Sequence, residues 1–518
     1  MQMLTSLLLS ALAATSAAYP SPRSSTTKWS QLEIQPHSRH LARTTTGEPF
    51  FWQADTAWEL AARLNASDVD TYLADRASKG FNVIQVVALP ELNGTTHPNY
   101  YGDLPLVDED PMQPVEEYFQ YLDYVIDRAA DYGILTALVP TWGRWVNCGW
   151  RGEPILFNEK NARAFGQYIG NRYPGLPKMI GGDSNGDWAC SIPDISEEYT
   201  SNPNQDPYAM LPNITDTRYI WSAMVSGMQE AEKAHDTDLF VTFHPTNTYL
   251  NLTGLPLAYG HNYLNTTTSP FNVSMDVVQS GHAIPGVTPS NEAIVGWDSE
   301  KNYDMVTEMR DAFIGPVIDL ENHYEGAHIS FKKEQPLWNS SEVRHGLWNG
   351  FFAGAAGVTY GAHSIWQFYD PVSLLDNANS FIEPQNDLAR NASWRYDLHL
   401  KGAEQVQHLK NLFETLGKDT YFAIAPDNAI IDQRARAYEN NRHVSALSSG
   451  GRYWVYTGYG DSFTLTLPIN ESTLTAKWYN PRTGEYGEDM PRDSDSLTFT
   501  PPSSGTVDDD WVFCVQIN

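Results

Sequence analysis

Between about residue 50 and residue 415, short β-branched or aromatic runs alternate with amphipathic stretches at helical spacing. The runs fall at Phe50–Ala54, Asn82–Ala88, Ile134–Val139, Lys178–Gly181, Leu239–Phe243, Val277–Gln279, Pro316–Leu320 and Val358–Tyr360. Helices are predicted from a cap at Ser67 to a stop at Gly80, then over 115–132, 158–173, 216–235, 341–355 and 402–416. The pattern is weakest after the fifth and sixth runs. Continuous apolar strands alternating with helices demand a parallel sheet covered on both faces. Eight of them predict an α/β protein of the (β/α)8 barrel type with long loops. An open doubly wound sheet would carry a glycine-rich phosphate turn after its first strand. Here that turn is Asp55-Thr56-Ala57-Trp58, with no glycine.

From Tyr421 onward the period changes to two. Seven short runs, at 421–425, 444–448, 453–457, 463–467, 475–479, 496–500 and 511–516, predict a small antiparallel β-sandwich. The expected division is a signal peptide at 1–18, a barrel domain over 19–418 and a sandwich over 419–518, with 19–27 a flexible leader.

Met1–Ala18 has an apolar centre and small residues, Ser16 and Ala18, before a cleavage point, which is the pattern of a secretory signal. Nine Asn-x-Ser/Thr sites, at Asn65, Asn93, Asn213, Asn251, Asn265, Asn272, Asn339, Asn391 and Asn470, suit an extracellular glycoprotein. In an oxidising compartment Cys148 and Cys190 could pair, leaving Cys514. No later segment reaches the roughly 18 apolar residues of a membrane span. The formal charge of −30 argues against nucleic acid and anionic lipid as partners. The sequence does not specify an oligomeric state, and a monomer is compatible with it.

In a barrel the reacting groups sit at the C-terminal strand ends. Those ends carry Asp55 and Trp58, Trp142, then Asp183, Asn185 and Asp187, then His244, Gln279 and His282, Glu321, Tyr324 and Glu325, and Trp366. The set is rich in carboxylates, aromatic faces and amides, and lacks a phosphate cradle or metal-ligand spacing, so neither a metal nor a cofactor is expected. Asp183 follows the fourth strand and Glu321 the seventh. Glycosidic cleavage needs such a pair, one acid for the leaving oxygen and one carboxylate on the opposite face of the sugar. Trp and Tyr faces would stack on sugar rings while amides and histidines bond hydroxyls, which makes an oligo- or polysaccharide the expected partner.

The stretches FFWQADTAWEL (50–60), MIGGDSNGD (179–187), VVQSGH (277–282) and PVIDLENHYEG (316–326) resemble the apiosidase-like glycosidases of glycoside hydrolase family 140 and their endoglucanase-like relatives. WYNPRTGEY (478–486) resembles the end of the collagen-binding-type β-sandwich that follows such barrels. The resemblance implies Asp183 as acid/base, Glu321 as nucleophile, and Asp55, Trp58, Gln279, His282, Tyr324 and Glu325 as pocket lining. Asp187 and Glu325 are the reserve carboxylates. One position departs: Asn322 stands where relatives commonly carry proline. Two alternatives stay open at this stage, a non-catalytic sugar-binding barrel and a serine esterase using Ser184 in Gly182-Asp183-Ser184-Asn185-Gly186. The second is weakened because the chain after Ser184 reads as loop rather than helix.

Overall fold

The computed structural model describes residues 28–148, 154–183, 201, 217–245, 260–264, 271–284, 298–371, 392–468, 474–490 and 497–517. The signal-peptide segment, Asn185, Asp187, Ser184 and Cys190 therefore lie outside the described residues. Cys148 is disulfide-bonded and Cys514 is free.

All eight expected barrel strands form. They are β4 (Trp52–Thr56), β5 (Val83–Val87), β6 (Leu135–Val139), β7 (Lys178–Ile180), β8 (Val241–Phe243), β9 (Asp276–Val278), β10 (Val317–Asp319) and β12 (Gly357–Ala362). Every residue of these strands is buried, as a sheet covered on both faces requires. The strands run parallel, with ladders from β12 through β4, β5, β6 and β7 to β8, and a separate ladder pairing β9 with β10. Hydrogen bonds from Ser274 N to Val241 O (2.7 Å) and from Ala356 N to Val317 O (2.8 Å) join the two pieces and close the ring.

The predicted helices appear as α1 (Ala66–Ser78), α2 (Glu116–Asp131), α3 (Glu159–Arg172), α4 (Arg218–Ala234), α6 (Ser340–Phe352) and α7 (Lys401–Glu414). After the sixth strand, where no helix was expected with clarity, α5 spans Asn302–Ala312. The cap of α1 differs from expectation. Asn65, not Ser67, accepts from Asp68 N, because its side chain closes the first turn two residues earlier. Gly80 does stop the helix, at φ +77°.

Three antiparallel strands precede the barrel and were not expected: β1 (Ile34–His37), β2 (His40–Arg43) and β3 (Pro49–Phe50). Their sequence, with Pro36 and no clean alternation, carries no strand signal. Trp29, fully buried ahead of them, donates to Pro174 O just before β7. This leader therefore packs at the N-terminal end of the barrel, away from the reacting strand ends.

The C-terminal sheet orders as β13 (Ala425–Pro426), β14 (Val444–Ser449), β15 (Arg452–Thr457), β20 (Trp511–Ile517), β17 (Leu474–Asn480) and β18 (Glu485–Tyr486). The pair β16 (Phe463–Thr464) and β19 (Thr498–Phe499) covers one face over a core that includes Phe463, Trp478, Phe499 and Phe513. The expected strand at 421–425 is mostly a helical turn, Lys418–Phe422. Its aromatic pair belongs to the barrel side: Phe422 stacks on His37 and Tyr421 tilts against His40.

The opposite face of the sandwich sheet continues the barrel core. Tyr456 stacks on Trp348 of α6 at 5.6 Å, and Trp454 meets Phe413 of α7 at 5.2 Å. Arg344 on α6 grips Asp510 with two bonds of 2.7 and 2.8 Å, and Arg482 adds a third. Arg344 and Asp510 are buried, so without Asp510 the Arg344 charge is left with the longer contact to the exposed Asp508 (3.4 Å) and the Gln405 amide in a poorly solvated place. We predict that Asp510→Ala destabilises the protein by about 3–5 kcal/mol, read from the urea midpoint.

Candidate active site

The turn after β7 places the first carboxylate by backbone alone. Gly181, Gly182 and Asp183 all have positive φ, at +105°, +55° and +52°. A Cβ on Gly181 would strike the carbonyl of His244, and one on Gly182 would lie 2.8 Å from the Trp142 ring. Both glycines are therefore required twice, for the left-handed backbone and for the close approach of β8 and the β6 loop. Gly143 N donates to Gly182 O and His244 N to Ile180 O, which lock the turn. Asp183 adopts the same left-handed region without a glycine's freedom, the kind of local strain that clusters at functional sites.

The second carboxylate is set by the loop after β10. Asp319 accepts from Ser280 N (3.1 Å), from Ser280 Oγ (2.6 Å) and from Asn302 Nδ2 (3.0 Å), tying β10 to the β9 loop and α5. Burial raises the Asp319 pKa, and these bonds oppose it. Gly281 N then donates to Glu321 O. Asn322, at the position that departs from proline, donates to Ser280 Oγ at 2.6 Å. It is buried against the notch left by Gly346, whose absent Cβ would overlap it. The departure thus reinforces the loop clamp.

Glu321 is 5% exposed and held by two histidines. His282 Nε2 lies 3.0 Å from one carboxylate oxygen and His244 Nε2 lies 3.3 Å from the other. Burial would raise this carboxyl, but the hydrogen bond from His282 and the closeness of both imidazoles, His244 and His282, outweigh it and hold it well below the usual carboxylate range. Oxygens of Asp183 and Glu321 and a ring nitrogen of His244 all lie within 4.8 Å of one another. Such a mixed donor set has the composition to hold a divalent ion as well, and is the one such cluster among the described residues.

Aromatic rings frame this pair. Trp58 meets Trp142 edge-on at 5.1 Å and His244 at 5.6 Å, and its Nε1 donates to Tyr324 Oη at 3.2 Å. Burial and the charges of Glu321 and Asp183 push the Tyr324 phenol well above its ordinary pKa, so it stays a hydrogen-bond donor. Tyr324 packs on His282 at 4.4 Å and beside the half-buried Trp366 at 6.3 Å. Gln279, the residue after β9, is buried.

Two expected lining residues are also engaged by the barrel itself. Asp55 is fully buried and one of its oxygens accepts from Tyr72 Oη (2.6 Å) and Arg76 Nε (2.5 Å), which ties β4 to α1. Glu325 accepts from Tyr360 Oη (2.6 Å) and Gly402 N (3.1 Å), pinning the start of α7. Burial raises the Glu325 pKa, the opposite of Glu321 four residues earlier. Strand-end position alone could not separate these roles, because neighbouring residues at one strand end meet different partners. Asn185 and Asp187 lie outside the described residues. Sequence reasoning passed over Asp319 and Ser280 as a clamp, although both stand inside the motifs that carried the resemblance.

The family model for the apiosidase-like catalytic domain matches residues 35–418, and the chain belongs to that family. A second model, for a collagen-binding domain of a collagenase, matches residues 425–516. Among solved structures, a family 5 glycoside hydrolase from Bacteroides vulgatus ATCC 8482 is 26% identical over 95% of this chain and 94% of its own, with a TM-score of 0.73. Another, named a glycoside hydrolase, is 25% identical over 95% of this chain and 98% of its own, with a TM-score of 0.72. No sequence among the curated proteins matches.

Gly182→Ala is expected to push Trp142 and the Asp183 turn apart. A Cβ at this φ destabilises where a compatible Gly→Ala change would stabilise by about 0.4–1 kcal/mol. The check is a lowered thermal midpoint together with lost glycan cleavage.

Proposed function

We propose that this member of the apiosidase-like family cleaves glycosidic bonds with retention of configuration, using Glu321 as nucleophile and Asp183 as acid/base. The chain is a glycoside hydrolase acting on carbohydrate, and the proposal concerns the mechanism, the class of glycan and the compartment. The observation that carries it is a buried Glu321 held ionised by two histidines, with an Asp183 oxygen within 4.8 Å.

In the first step a Glu321 oxygen attacks the anomeric carbon. The bond to the leaving oxygen breaks as Asp183 gives it a proton. The glycosyl ester then reacts with water, whose proton returns to Asp183 while the ester bond breaks and Glu321 leaves as carboxylate. A carboxylate that stays ionised without solvent is suited to attack, and His244 and His282 orient it. The short separation favours retention, since carboxyl groups about 5–5.5 Å apart leave no room for the water that inversion needs. The Trp58, Trp142 and Trp366 rings supply the apolar faces for the sugar. The signal-like segment at 1–18 and the nine glycosylation sequons support secretion, and a plant or microbial cell-wall polysaccharide is the glycan class proposed.

The test is a cell-wall polysaccharide panel with released sugars read by chromatography. Asp183→Asn should lower turnover by about 10²–10⁴-fold, the range for a positioned general acid, and Glu321→Gln should abolish it. Proton NMR of the first product should show the substrate's anomeric configuration retained. Inversion, or turnover indifferent to both substitutions, would remove these two residues from their roles. Tight binding without cleavage of any glycan would favour a sugar-binding barrel.

A pH prediction follows from the depressed Glu321 carboxyl. Its stabilising contribution is complete above the unfolded-state pKa and is lost as pH falls through the folded value, which lies below the usual range. His282→Ala removes a hydrogen bond and a charge that lower it, so the carboxyl rises toward its ordinary value. The acid limb of the kcat/KM profile should therefore move to higher pH in the variant.

A further inference from the structure

The loop between β11 (Tyr324–Glu325) and α6 holds an aromatic residue in an unfavourable backbone state. Ser330 and Phe331 have φ of +55° and +53°, and neither is a glycine. A bulky residue in this region is an outlier, and the surrounding bonds must impose it. Those bonds are present: Ser330 N donates to His282 O (2.9 Å), Phe331 N to His328 O (2.9 Å), and Ile329 N to Pro336 O (3.0 Å). His328 Nδ1 and Gln335 O, 2.6 Å apart, close the loop across its base.

The result is a phenylalanine that is 43% exposed yet has its ring against the surroundings of Glu321. Phe331 meets the His282 ring at 4.8 Å and the His363 ring at 5.5 Å. His282 in turn holds Glu321, so Phe331 lies one ring away from the nucleophile. Trp366, half-buried, donates from Nε1 to His363 Nδ1 and lies beside Tyr324. Phe331, His363 and Trp366 thus form a continuous aromatic arc beside His282 and Tyr324, drawn from the loop after β11 and from the helical turn His363–Trp366 after β12. An exposed ring would lose little by turning into a relaxed backbone on a free loop, so the tie of Ser330 to His282 is what keeps it against that imidazole.

We infer that Phe331 is a substrate-stacking residue, presenting its face to the apolar side of a sugar ring bound next to the bond that Glu321 attacks. This rests on the glycosidase reading above and adds the platform that sets affinity and glycan preference. The ring offers no hydrogen bond, so it selects sugars by the apolar C–H face they present and not by individual hydroxyls.

The experiment compares Phe331→Ala and Phe331→Trp with the unaltered protein on p-nitrophenyl glycosides and cell-wall oligosaccharides. The same substitutions are placed in the Glu321→Gln background for binding on a glycan array. Phe331→Ala should raise KM about three- to tenfold with kcat nearly unchanged, the scale of one lost aromatic contact, and weaken array binding in step. Phe331→Trp should restore both. An unchanged KM on a cleaved glycan overturns the stacking role while the glycosidase reading stands. A shifted acid limb like that of His282→Ala, with KM unaltered, also overturns it by making Phe331 a support for His282. If the unaltered protein cleaves nothing and Glu321→Gln binds nothing, both readings fall together.

Discussion

A carboxylate buried among aromatic rings needs partners, because taking an unpaired charge out of water costs several kcal/mol. Glu321 has them in His244 and His282, one for each oxygen. The geometry around the site follows from that requirement. His244 must stand at the end of β8, which brings the β7 turn under it and forces Gly181 and Gly182 into left-handed backbone. His282 must stand on the β9 loop, which Asp319, Ser280 and Asn322 clamp to β10. Asp183 is carried into range by the first of these constraints and Glu321 by the second.

Other buried carboxylates use charge differently. Asp55 with Arg76, and Glu325 with Tyr360 and Gly402, are buried and join β4, α1, β11, β12 and α7. Such buried pairs add little net stability but are costly to break, so they favour one arrangement of the barrel over its neighbours. The same reasoning holds for Arg344 and Asp510, where the sandwich meets α6. With Trp348 on Tyr456 and Phe413 against Trp454, the C-terminal sheet shares the barrel's apolar core. Its face toward the barrel is a brace for the helices that follow the Glu321 and Trp366 strands.

Much of the fold was legible because its signals are local and repeated. A fully buried parallel strand reads as an apolar run, and all eight runs lie within a few residues of the observed strands. The failures are equally local. The leader strands β1 to β3 carry Pro36 and lack alternation, so only their packing makes them strands. Tyr421 and Phe422 look like a strand by composition but are drawn into a turn by His37 and His40, residues almost 400 positions earlier. Asn65 outcompetes Ser67 as a cap because helix starts are settled by which side chain reaches a free amide first.

The sequence by itself determined the barrel class, the period-two sandwich after it, and which residue types stand at the reacting strand ends. These are properties of spacing, and spacing survives without coordinates. Only the tertiary structure decided which partners each carboxylate meets. Glu321 and Glu325 share a motif and a strand end, yet one is held ionised by two histidines and the other is pushed toward its neutral form by burial. Phe331 was invisible for the same reason: nothing in Ile329-Ser330-Phe331 marks it, and its place beside His282 comes from a backbone bond to a loop about fifty residues away in sequence. A side chain's chemistry depends on the charges and dipoles within a few ångströms, and those come from parts of the chain that no local reading brings together.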